Sequence, residues 1–93
     1  MPEILPVKFF LYQNYPNPFN PLTTFKYELP QESKVTLTIF DLRGRLVETI
    51  VNQTQPAGYY SVLWDAGKYS SGVYLYRFQA GDFRQVRKCL VIK

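Results

Sequence analysis

Apolar and polar residues trade places along this chain in short runs, and no stretch repeats apolar residues at the 3.6-residue spacing of a helix. Across residues 24–29, Phe25, Tyr27 and Leu29 alternate with Lys26 and Glu28. Across residues 34–41, Val35, Leu37 and Ile39 alternate with Lys34, Thr36 and Thr38. Residues 58–65 set Tyr60, Val62 and Trp64 against Tyr59, Ser61 and Leu63, and residues 72–80 set Tyr74, Tyr76 and Phe78 against Val73, Leu75, Arg77 and Gln79. A period of two is the mark of a strand with one face in the core. Two further runs do not resolve this way. Residues 46–51 carry aliphatics on both parities, and in residues 82–92 Val86, Leu90 and Ile92 compete with Phe83, Cys89 and Val91. One of these two is expected to be buried on both faces or to carry a bulge.

Turn-forming clusters separate the runs: residues 29–33, 41–44, 53–58, 65–67, 70–72 and 80–82 are rich in Gly, Pro, Asp, Ser and Gln. With a first strand over residues 9–13, seven strands result. Seven short alternating strands in a chain of this length predict an all-β, seven-stranded immunoglobulin-like antiparallel β-sandwich. Gly72-Val73-Tyr74-Leu75-Tyr76 sharpens this expectation. Tyr74 stands where such sandwiches place a tyrosine whose hydroxyl bonds back to the preceding loop, and Tyr76, two residues on, takes an inward position. With Trp64 on the strand before, the core is expected to be aromatic and not stapled by a disulfide.

Length and composition narrow the chemistry. The 93 residues make one domain with a thin core, and 46% hydrophobic content with 17% aromatics rules out disorder as a description of the whole. No run is long and apolar enough for a membrane helix, and the N-terminus lacks the pattern of a secretory leader; if the protein is exported, that leader lies upstream of these residues. A net charge of +4 is read as solubility and not as nucleic-acid binding. There is no histidine, which removes Ser-His-Asp and Cys-His nucleophile systems and most zinc and copper sites. Cys89, the sole cysteine, is read as a packing residue. The carboxylates are Glu3, Glu28, Glu32, Asp41, Glu48, Asp65 and Asp82. Asp41, Asp65 and Asp82 each flank a glycine-containing turn, where backbone capping explains them better than calcium binding. The sequon at Asn52 is a chance match outside a eukaryotic secretory context. No catalytic residue, metal or cofactor is expected.

Two binding features remain. Arg84, Arg87, Lys88 and Lys93, with Arg77 nearby, form a basic stripe; on an edge strand such charges guard against edge-to-edge pairing, and the alternative is an anionic partner. Exposed aromatics such as Tyr59, Tyr69 or Phe40 could stack on sugars, against the plainer reading of scattered surface residues.

The stretch Asn14-Tyr15-Pro16-Asn17-Pro18-Phe19-Asn20-Pro21 fits neither a helix nor an inner strand. It is expected to be a rigid clasp at an edge or crossover, with Tyr15 and Phe19 plugging one end of the sandwich and the asparagines capping turns. In order along the chain, this stretch, Asp41 with Gly44-Arg45-Leu46-Val47, Pro56-Ala57-Gly58 leading to Trp64-Asp65, Ser71-Gly72-Val73-Tyr74-Leu75-Tyr76-Arg77 and the closing Arg87-Lys88-Cys89-Leu90-Val91-Ile92-Lys93 resemble the type A C-terminal sorting domain of the bacterial type IX secretion system. The resemblance runs from about residue 11 to residue 93, leaving 1–10 as a linker from an upstream domain; Cys89 departs from it, standing where the family more usually has methionine. It implies a non-catalytic secretion signal for an attached cargo domain. Its partners would be the outer-membrane translocon and a sortase-like peptidase, and its destination the cell surface or medium by way of the periplasm. Arg87, Lys88, Leu90, Val91, Ile92 and Lys93 would be its recognition elements, and an unpaired edge would allow weak homodimerisation. A hook-cap-type structural module and a carbohydrate-binding accessory module of a secreted hydrolase are the alternatives.

Overall fold

A computed structural model describes residues 4–93, and every regular element in it is a strand: β1 (Phe10–Leu11), β2 (Leu22–Leu29), β3 (Ser33–Phe40), β4 (Leu46–Gln55), β5 (Gly58–Asp65), β6 (Gly72–Ala80) and β7 (Phe83–Val91). Met1 to Glu3, the start of the expected linker, lie outside the described residues. The strands form two antiparallel sheets, ordered β1-β2-β5 and β4-β3-β6-β7, as the immunoglobulin-like expectation requires. β1 is shorter than the expected 9–13. Beyond Leu11 the backbone ladder with β2 continues only through Tyr12 N, which donates to Lys26 O, and an isolated bridge between Tyr15 and Thr24. Pro16 and Pro18 lack the N–H that would continue the ladder.

The four legible runs bury the predicted parity. Phe25, Tyr27 and Leu29 from β2, Val35, Leu37 and Ile39 from β3, Trp64 from β5, and Tyr74, Tyr76 and Phe78 from β6 make the interior. Aromatic rings meet in sequence through it: Phe19 with Trp64 at 5.7 Å, Phe25 with Tyr76 at 4.7 Å, and Tyr27 with Phe78 at 4.8 Å between centroids. Removing a Phe25 or Phe78 ring from water stabilises by about 1.5–3 kcal/mol each. The polar tips are paired. Tyr27 donates to Gln55 Oε1 at 2.6 Å, Trp64 Nε1 donates to Glu48 Oε1 at 3.2 Å, and Tyr74 donates to Ser70 O at 2.7 Å, the bond back to the loop that its position predicted. Tyr76 donates to Tyr12 O at 3.1 Å and accepts from Asn14 N at 2.8 Å. Among the described residues no buried side-chain nitrogen or oxygen lacks a partner.

The two ambiguous strands resolve differently. β4 carries two irregularities: its register with β3 steps past Ile50 between Leu37 and Thr38, and past Val47 between Ile39 and Phe40. Each extra residue shifts parity, so Val47, Ile50 and Val51 all reach the core while Leu46 stays exposed. β7 is regular. Pairing Tyr74 with Cys89 and Gly72 with Val91 turns Cys89 and Val91 inward, and leaves Val86 and Ile92 exposed. At the β3–β4 turn Gly44 adopts φ +83°, which side-chain-bearing residues rarely take, and Gly72 opens β6 at φ +153°.

Candidate functional site

β7 is an edge strand of the four-stranded sheet, and alternation along it divides the closing residues into two groups. Lys88, Leu90 and Ile92 share the outer face with Arg84 and Val86; Arg87, Cys89 and Val91 share the inner one. Val91 and Cys89 are fully buried, and burial pushes the Cys89 thiol up to about 12. Arg87 lies at the mouth of the core, where its Nε donates to Leu11 O at 3.2 Å. Lys93 Nζ donates to Gly67 O at 2.5 Å, tying the chain end to the loop after β5. Of the six closing residues singled out in the sequence, the structure therefore brings Lys88, Leu90 and Ile92 together on one surface and gives Arg87 and Val91 packing positions. The basic stripe divides likewise: Arg77, opposite Val86, lies over the Phe40 ring at 4.9 Å, on the same face as Arg84 and Lys88, and Arg87 is on the other.

The proline-rich stretch runs against the free edge of this strand. Phe19 pairs with β7 in parallel, its N–H donating to Leu90 O at 3.0 Å and its carbonyl accepting from Ile92 N at 2.9 Å. Asn17 Oδ1 accepts from Leu90 N at 2.9 Å, and Gln13 Nε2 donates to Lys88 O at 2.7 Å. Side-chain amides here supply hydrogen-bonding groups beside prolines that have no N–H. The same segment holds the other sheet through Tyr15 and Thr24, bonded in both directions at 3.1 and 2.9 Å. At its centre Asn14 is buried, its Nδ2 donating to Pro16 O and Thr23 Oγ1. The stretch is thus a clasp between β2 and β7, with two corrections to what the sequence suggested. Phe19 is buried against Trp64, but Tyr15 is 81% exposed and plugs nothing. The bridge to Thr24 fixes Tyr15 on the outer side of β2, because Thr24 alternates with buried Phe25. Nor does Asn17 cap a turn; it caps an edge. Gln13 carried no signal of this role in the sequence, and Asn14, expected to cap a turn, instead joins the clasp to Thr23 of β2.

The other candidates have local explanations. Asp41 Oδ1 accepts from Arg43 N and Arg45 N, its Oδ2 pairs with Arg45 Nε at 3.0 Å, and these bonds, the Arg45 amide first, hold its carboxyl below the usual range. Asp65 Oδ1 accepts from Gly67 N. Glu48 accepts from Trp64 and from Tyr69, whose hydroxyl is pushed up to about 12 by burial and then by that carboxylate. Tyr69 packs on Trp64 and Tyr74, and Phe40 sits under Arg77, so of the three aromatics proposed as a sugar platform only Tyr59 stands open, 60% exposed.

The chain is thus an immunoglobulin-like sandwich with one edge strand, β7, held by a proline-rich clasp. The secretion-system C-terminal sorting domain family matches residues 13–93, and the chain belongs to it. It is a C-terminal sorting signal of type IX secretion, which places it on the route to the cell surface or the extracellular space. Among solved structures the fold is similar to part of PorZ, an essential bacterial surface component of the type IX secretion system of Porphyromonas gingivalis, with 22% identity and a TM-score of 0.60. The match covers 89% of this chain and 11% of that one. No curated protein matches the sequence.

Proposed function

We propose that the outer face of β7 is the surface by which the type IX machinery reads this domain, with Lys88, Leu90 and Ile92 as selecting side chains. One observation carries it: β7 is an edge strand whose outward residues alternate with buried ones, so a receptor meets the first set without unfolding the second. The clasp restricts the mode of contact. Strand addition needs free backbone groups, and between Lys88 and Ile92 these are taken by Gln13, Asn17 and Phe19. A receptor strand can pair with the folded domain only from Arg84 to Val86, or must displace the clasp. The same short stretch of edge would support at most weak homodimerisation.

In this scheme the domain does no chemistry. The outer-membrane translocon engages it, a sortase-like peptidase separates it from the upstream cargo domain, and Arg87, Val91 and Lys93 serve the fold. The test is a reporter fused ahead of residues 1–93 in a type IX-competent bacterium. Export is expected for the parent, and periplasmic retention for Leu90→Asp combined with Lys88→Glu, with the melting temperature of the purified variant within a few degrees of the parent. Retention of the parent fusion, or normal export of that variant, would sink the proposal.

A further inference from the structure

The opposite sheet has an open face of its own. Register places the outward side chains of β1, β2, β5 and the following clasp in rows: Phe10, Glu28 and Tyr59; Tyr12, Lys26 and Ser61; Tyr15, Thr24 and Leu63. With strands about 4.8 Å apart, the Tyr12–Tyr15 column and the Tyr59–Leu63 column stand about 10 Å from each other, and successive rows are about 7 Å apart. Between them lies a depression of about 790 Å³ whose lining includes Tyr12, Tyr15 and Tyr59 over a floor of Thr24, Lys26 and Glu28. Of the lining rings, Tyr15 and Tyr59 are each 60% exposed or more, and Tyr12 is also exposed. A single exposed tyrosine is ordinary; three around one polar floor make a binding surface. The rim is braced, since Tyr12 stacks edge-on with Phe10 at 4.6 Å and donates its hydroxyl to Glu28 Oε2.

The floor indicates the ligand. Lys26 and Glu28 cancel in a chain of net charge +4, so the trough offers no pull on an anion. It offers flat rings at the sides and, at the centre, both donors and acceptors: the Lys26 ammonium, the Thr24 and Ser61 hydroxyls, and the remaining Glu28 oxygen. That combination suits a molecule with apolar faces and hydroxyl edges. We propose that this trough binds a neutral oligosaccharide, laid between the Tyr12–Tyr15 column and Tyr59. A proline-rich peptide also docks in aromatic grooves, but it brings carbonyl acceptors and few donors, leaving Glu28 unmatched at a cost. Because the site lies on the sheet away from β7, its test is independent of the sorting proposal.

Residues 1–93 would be titrated with neutral hexasaccharides of glucose, xylose and mannose, and separately with a proline-rich decapeptide and an acidic polysaccharide, while amide and side-chain NMR shifts are followed. Binding of at least one neutral hexasaccharide is expected, with shifts confined to Tyr12, Tyr15, Thr24, Lys26, Tyr59 and Ser61. Tyr59→Ala should weaken it at least tenfold, Lys26→Met should weaken it as well, and Arg84→Ala on the far sheet should leave it unchanged. Tyr59 is exposed, so its variant keeps the parent spectrum elsewhere, and Lys26→Met provides a second variant if it does not. No shift with any neutral sugar at millimolar concentration, binding of the peptide or the acidic polymer alone, or full affinity in both variants would overturn the assignment.

Discussion

Phe19 and Tyr15 stand four residues apart in the same proline-rich stretch, and their fates differ completely. Phe19 puts its ring against Trp64 and spends both backbone groups on β7. Tyr15 spends its backbone on Thr24 and leaves its ring in solvent. Truncating Phe19 to alanine should therefore cost about 3–5 kcal/mol, the range for a buried phenylalanine. Tyr15→Ala should stay within about 0.5 kcal/mol of the parent, as exposed positions do. Urea denaturation of the two variants checks both numbers, and equal midpoints would show that the ring of Phe19 is not part of the core. The sequence could not separate these residues. Alternation assigns faces only where a strand supplies a period of two, and prolines at 16, 18 and 21 abolish it. By contrast Tyr74, Tyr76 and Trp64 were legible singly, because each sits in a regular strand at a position with a defined job.

At the level of elements, legibility again follows regularity. β2, β3, β5 and β6 alternate without interruption, and their inward faces could be named from the sequence. β4 could not, since stepping past Ile50 and then Val47 reverses its parity twice within a few residues. β7 was ambiguous for a different reason: its outer face is unusually apolar, with Val86, Leu90 and Ile92 matching Cys89 and Val91 in hydrophobicity. Only pairing with β6 decides. The clasp was legible as rigid, but its partner was not, because side-chain amides from Gln13 and Asn17 reach a strand more than seventy residues away. This contact is separable by experiment. In hydrogen exchange, the Leu90 amide is held by Asn17 Oδ1 and the Ile92 amide by Phe19 O. Asn17→Ala should speed exchange at Leu90 by about fivefold to tenfold, from loss of one bond worth about 1 kcal/mol, and leave Ile92 nearly unchanged. Equal acceleration at both would mean that the clasp lifts as a unit; no change at Leu90 would remove Asn17 from the edge.

For the whole molecule, the order of short blocks along the chain made the family recognisable even though each block is weak alone, whereas the trough was not recognisable. Its walls and floor come from the segment after β1, from β2 and from β5, and among its residues only Tyr59 had been singled out as a sugar contact. The absence of a disulfide has a measurable consequence for the intact domain. Cys89 is a free buried thiol, so packing around Tyr27, Tyr76 and their neighbours holds the sheets together. Burial pushes the Tyr27 and Tyr76 hydroxyls from an ordinary 10.0 to about 12, and the Cys89 thiol from 9.0 to about 12. In all three the folded state holds its proton more tightly than the unfolded chain. The unfolded state binds fewer protons above its own value, so stability must fall as pH rises there. Their contribution is complete below about pH 9, erodes first through the thiol and then, from pH 10, through the two phenols, and is exhausted near pH 12. The urea midpoint should accordingly be flat from neutrality to pH 9 and decline steeply between 10 and 12. Cys89→Ser should leave the phenol-driven part of that decline in place, and Tyr27→Phe should make it shallower. A midpoint unchanged through pH 12, or ionisation of every tyrosine at the ordinary value while the domain stays folded, would mean that the aromatic interior admits water and does not support the fold.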